Sequence, residues 1–159
     1  MLGTMADGLD LGTGEGMLEG HDVAKKLAGV GAFDRAEALR RGIVREARRV
    51  LGDKDQGARV YIESLGGLLL GGGKLDEAKP LYEEALAGKR ETLGDKHSST
   101  LTSIVNLGSL FYETGKLDEA ESALVEAADG LREVLGEDHP HTRSAEGWLN
   151  MVRKKKANA

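Results

Sequence analysis

The chain repeats itself every 42 residues. Gly31, Gly73 and Gly115 stand 42 apart, as do Asp34, Asp76 and Asp118, then Ala36, Ala78 and Ala120, then Gly52, Gly94 and Gly136. The segment Gly73-Lys74-Leu75-Asp76-Glu77-Ala78 recurs unchanged as Gly115–Ala120. A fixed period of this size signals stacked supersecondary units, each burying its apolar face against its neighbours. Arrays of this kind expose long binding surfaces and rarely carry chemistry.

Inside each period the apolar spacing is helical. Leu101, Ile104, Leu107, Gly108 and Phe111 define a first helix, with Ser99 placed to cap it. Gly115 closes the turn. Ala120, Leu124, Ala127, Leu131 and Leu135 define a second helix that stops before Gly136. One period earlier, Ile62, Leu65, Gly66 and Leu69 precede Ala78, Tyr82, Ala85 and Leu86. Asp34, Asp76 and Asp118 fall where each second helix starts, at the positive end of its dipole. Pro80 is expected near a first turn, where proline costs least. Gly108 and Ala120 are small enough for two antiparallel helices to approach closely. The pattern predicts three helix pairs, about 17–57, 58–98 and 99–141, and a capping helix over 142–156. Ala145, Trp148, Leu149 and Val152 form that cap's inner stripe. Glu146, Asn150 and Arg153 give it a polar outer face, so the array is expected to close there, with a fragment of a longer array as the alternative. Residues 1–16 include Gly3, Gly8, Gly12, Gly14 and Gly16, which predicts a flexible lead-in. The first pair is the least regular, with Val23, Ala24 and Leu27 its clear apolar positions before Gly31.

Composition narrows the function classes. A net charge of -5, from 27 acidic and 22 basic side chains, argues against nucleic acid or an acidic membrane as partner. Cysteine is absent, which removes disulfides and thiolate metal sites and fits a cytoplasmic setting. No apolar run is long enough to span a bilayer.

These positions resemble the tetratricopeptide repeat, through Ile104, Leu107-Gly108, Phe111, Gly115, Ala120, Leu124 and Ala127. The preceding repeat matches at Ile62, Leu65-Gly66, Leu69, Gly73, Ala78, Tyr82 and Ala85. The long period, with Leu93–His97, Leu135–His139 and Arg132–Gly136, is similar to the kinesin light chain subtype. Residues 1–22 show none of the heptads that precede the repeats in a complete kinesin light chain. The resemblance covers about 23–152. It implies an all-α, right-handed α-solenoid of antiparallel helix pairs. It also implies a non-catalytic module that binds a peptide or a helix in a concave groove lined by first helices. By that register the lining includes Glu63, Ser64, Thr102, Asn106, Ser109 and Tyr112, with Trp148 and Met151 from the cap. Asn106 stands where the family grips a peptide backbone with an amide; its counterpart one repeat earlier is Ser64. The expected partner is a protein or peptide.

Other chemistry has weaker sequence support. His21, His97, His139 and His141 have no metal-binding spacing, and the last three lie in inter-repeat linkers, where they are expected to hydrogen-bond helix starts. Gly12–Gly16 lacks the strand and the later glycine of a dinucleotide loop. Arg153–Lys156 reads as a solvated helix end. No catalytic residue, cofactor or metal is expected. Two alternatives stay open, a self-associating array and an enzyme using the linker histidines.

Overall fold

The computed structural model describes residues 8–159, and every regular element among them is helical. Helix α1 spans Gly14–Gly29, α2 Phe33–Leu51, α3 Gln56–Gly71, α4 Leu75–Leu93, α5 Ser98–Glu113, α6 Leu117–Leu135 and α7 Pro140–Ala157. The chain divides into two compact units, with the boundary inside α4 between Leu81 and Tyr82.

The 42-residue period reappears as backbone geometry. Gly31, Gly73 and Gly115 follow α1, α3 and α5 with φ of 82, 76 and 76°, and Gly52, Gly94 and Gly136 follow α2, α4 and α6 at 89, 85 and 90°. Side chains disfavour this left-handed region, so glycine ends each helix in the same way. Helix starts keep the same interval. Thr13, Asp55, His97 and His139 are the N-caps of α1, α3, α5 and α7. The Thr13 hydroxyl accepts from the Gly16 N–H, and the Asp55 carboxylate from those of Gly57 and Ala58. The Nδ1 atoms of His97 and His139 accept from the Ser99 and His141 N–H groups, each at 3.1 Å. His97 therefore replaces Ser99 as the cap. Ser99 already lies inside the helix, and its N–H is the donor that needs a partner. Asp34, Asp76 and Asp118 sit in the first turns of α2, α4 and α6.

In the second unit, α5 and α6 form a close antiparallel pair. Near their turn a Cβ on Gly108 would lie 2.7 Å from Leu124 Cγ; at the far end one on Gly130 would lie 2.7 Å from Leu101 Cδ2. As one helix approaches the turn the other leaves it. Helix α7 packs on this pair through Ala145, Leu149 and Val152, which join Leu101, Ile104, Leu124 and Leu131 in one core. The outer residues of α7 are tied to α6 by ion pairs. Arg132 meets Glu146 at 2.6 Å, and Arg153 and Lys156 meet Glu121 at 3.0 and 2.6 Å.

The first unit corrects the expected lead-in. Residues 1–7 of that lead-in lie outside the described residues, but helix α1 begins at Gly14, not after Gly16. A turn precedes it, in which Asp10 accepts hydrogen bonds from the Thr13 backbone and hydroxyl. This turn lies so close to α1 that a Cβ on Gly16 would fall 1.9 Å from the Asp10 carbonyl oxygen. Gly16 is thus required by contact. Met17 is fully buried with Ile43, Ala47 and Ala58, and Leu11 packs against them. Pro80 also differs from expectation. It lies inside α4, past the first turn, where its missing N–H leaves the Asp76 carbonyl without a helical partner. Pro80 is exposed, so water can reach that turn.

Candidate functional site

The expected groove residues fall in different surroundings. In the second unit, Tyr112 from α5 and Trp148 from α7 are both half-buried, their ring centroids 5.7 Å apart and their planes at 64°. This edge-to-face geometry lets one ring's positive edge meet the other's negative face. Both side chains also pack against the apolar core, which fixes their orientation. Met151, one turn along α7 from Trp148, is 46% exposed. Beside them opens a cavity of about 670 Å³ lined by Tyr112, Leu117, Met151, Lys154, Lys155, Asn158 and Ala159. The Lys155 ammonium lies 4.3 Å from the centre of the Tyr112 ring, a cation–π contact.

The polar candidates on α5 separate into free and committed groups. Thr102 donates its hydroxyl to the Ser98 carbonyl at 2.8 Å. Ser109 is buried and donates to the Asn106 carbonyl at 2.7 Å. Both hydroxyls are satisfied by their own helix and have little to offer a ligand. The half-buried Asn106 side-chain amide has no hydrogen-bond partner among the described residues, so its donor and acceptor remain available. Tyr112, Trp148 and Met151 therefore come together, Asn106 lies on the same helix as Tyr112, and Thr102 and Ser109 are spent within that helix.

In the first unit, Glu63 and Ser64 lie on α3. Glu63 already has an interaction partner. The Ser64 hydroxyl is 3.5 Å from His21 Nδ1, and its backbone carbonyl accepts from Arg40 Nη1. Burial, more than the nearby Arg40 charge, holds the His21 pKa below the usual 6.5.

The sequence reading passed over Lys155. It grouped Arg153–Lys156 as one solvated run, whereas the structure divides it. Arg153 and Lys156 pair with Glu121, and Lys156 also with Asp118 at 2.8 Å, while Lys155 turns to Tyr112. The signal was helical spacing: Trp148, Met151 and Lys155 recur at three and four residues and so share a face. The histidines stay apart in role. His97 and His139 cap helices, and His141 stacks on His139 with ring centroids 5.2 Å apart. Among the described residues no three metal-binding side chains cluster, and no helix is long and apolar enough to cross a membrane.

Comparison with known proteins bears on the fold. The tetratricopeptide repeat family profile matches residues 58–133. No curated protein matches the sequence as a relative. Among solved structures, a Podosopora anserina protein described as a kinesin light chain with nearly identical TPR-like repeats superposes with a TM-score of 0.80. It is 20% identical, over 99% of this chain and 74% of that one. BtubC (BKLC) from P. vanneervenii gives a TM-score of 0.74 at 23% identity, over 89% of this chain and 55% of its own. The type III secretion translocator chaperone SycD of Yersinia enterocolitica gives 0.65 at 18% identity, over 91% and 88%. Such low identities speak to fold alone. The profile identifies residues 58–133 as tetratricopeptide repeats, and the helix pairs and recurring glycines give the chain the fold of kinesin light chain-like repeats.

Proposed function

We propose that the chain is a non-catalytic protein-interaction module that binds a peptide or a helix along its first helices. In the second unit the contacts would be Asn106, Tyr112, Trp148 and Met151. The observation that carries this reading is the Tyr112–Trp148 pair, half-open beside a cavity of about 670 Å³. Aromatic side chains held rigid by a core lose little entropy when a partner covers them, and they dominate binding energy at protein interfaces. Asn106 adds the polar term, since an amide can donate to and accept from a peptide backbone at once. The fold supports the same direction, because its solved examples include a type III secretion translocator chaperone. The histidines give an enzyme reading no matching support, since two of the four are used as helix caps.

Proximity labelling or pull-down with the whole chain supplies a partner, and its binding segment then serves as the titrant. Asn106→Ala is expected to weaken that segment by on the order of 1 kcal/mol through lost hydrogen bonds. Binding mapped by NMR to the outer faces of α4 and α6, around Glu83 and Glu126, would reject the proposal.

A further inference from the structure

We propose that the first unit holds a binding site for a single carboxylate, built from Arg40, His21 and the Ser64 hydroxyl. The residues come from three helices: His21 from α1, Arg40 from α2, and Ser64 with its neighbour Tyr61 from α3. Arg40 is the anomaly that points to a ligand. Four other α2 arginines face acids: Arg41 meets Glu37 and Glu77, Arg45 and Arg49 meet Glu46, and Arg48 meets Asp53. Arg40 has no carboxylate partner among the described residues. Nη1 donates to the Ser64 carbonyl, and Nε is buried with no acceptor. A guanidinium carries five donors and stays charged, so this cation is partly withdrawn from water with its Nε–H unmet. Burial alone lowers its pKa from the arginine value, which is the mark of an uncompensated charge.

The surrounding groups select the ligand. The His21 ring is held against Tyr61, with centroids 5.7 Å apart, and its Nδ1 lies 3.5 Å from the Ser64 hydroxyl. Burial first, then Arg40, depress the His21 pKa; Asp22 opposes the shift and Lys25 adds to it. The imidazole is therefore neutral near pH 7, and Arg40 and His21 together carry one positive charge. One carboxylate neutralises that charge and matches the planar fork of the guanidinium, whereas a phosphate dianion leaves an excess negative charge in a half-buried place. The carboxylate belongs either to an acidic side chain or to a chain terminus of a bound segment. This site lies in the first unit and does not rest on the Tyr112–Trp148 surface, so either reading can fail alone.

The test is an NMR titration of the full chain at pH 8, where phosphate is mainly the dianion, and at constant ionic strength, reading the His21 ring and the Arg40 side chain. N-acetylglycine represents a chain terminus, N-acetylaspartate amide an acidic side chain; inorganic phosphate and chloride are the competing anions. The expected result is saturable shifts with at least one carboxylate probe, the stronger of the two naming the source. Phosphate should bind at least fivefold more weakly, and chloride should cause no saturable shift. Arg40→Met should abolish the response while raising the thermal midpoint, because it removes a charge that lacks a counter-ion. His21→Phe, which keeps the packing on Tyr61, should weaken the same response. Shifts that chloride reproduces, tighter binding of phosphate, or an unchanged response in either variant would overturn the proposal.

Discussion

At Gly108 the absence of one methyl group decides how closely α5 and α6 can meet. A Cβ there would stand 2.7 Å from Leu124 Cγ and 2.9 Å from its Cδ2, inside any real van der Waals contact. Gly108→Leu must therefore separate two helices that share a core, and we expect a loss of about 1–3 kcal/mol, read as a lower urea midpoint. An unchanged midpoint would contradict the packing described. A second residue acts in the opposite direction. Thr142 is fully buried and its hydroxyl has no hydrogen-bond partner among the described residues, as is true of Thr100 one period earlier. Ala58, one further period back, has no hydroxyl to satisfy. Thr142→Val keeps the branched shape and removes the unmet polar group, so it should raise stability by about 1 kcal/mol. A thermal midpoint below wild type would show that the hydroxyl has a partner in solution.

Helices were the most legible level of this molecule, and the reason is the period. Each second helix begins one residue before its first-turn Asp and ends at a positive-φ glycine, and both marks recur in the sequence. The start of α1 was less legible because glycines at 12, 14 and 16 imitate a linker. Its signal was arithmetic: counting 42 back from His139 gives His97, Asp55 and then Thr13, the cap of α1. The series hides because a hydroxyl, a carboxylate and an imidazole all accept the same backbone hydrogen bond and share no sequence identity. Side-chain commitments were harder still. Thr102 and Ser109 lie at groove spacing, yet both bend back to their own helix, and periodicity alone cannot show that. Pro80 adds a test at this scale. It interrupts α4 at an exposed position where its ring contributes little burial, so Pro80→Ala should restore one helical hydrogen bond and raise stability by about 1–3 kcal/mol. Equal or lower stability in a urea titration would mean that the ring itself is needed there.

For the molecule as a whole, repetition explains why fold could be read more fully than role. A repeat is specified by the residues that hold neighbouring helices together, such as Gly108, Ala120 and Leu124, and these recur by necessity. Binding residues need no recurrence: Asn106 has Ser64 as its counterpart, and Trp148 is the single tryptophan of the chain. That uniqueness supplies the most direct test of the interaction surface. Trp148 emission should shift when an identified partner segment is added, since its half-buried ring would lose water on one edge. Trp148→Phe, which keeps an aromatic ring on the core, should weaken that segment's binding while leaving thermal stability nearly intact. If instead the emission stays fixed through saturation, and Trp148→Phe lowers stability but binds the segment as wild type does, then Trp148 only packs and the proposed surface is wrong.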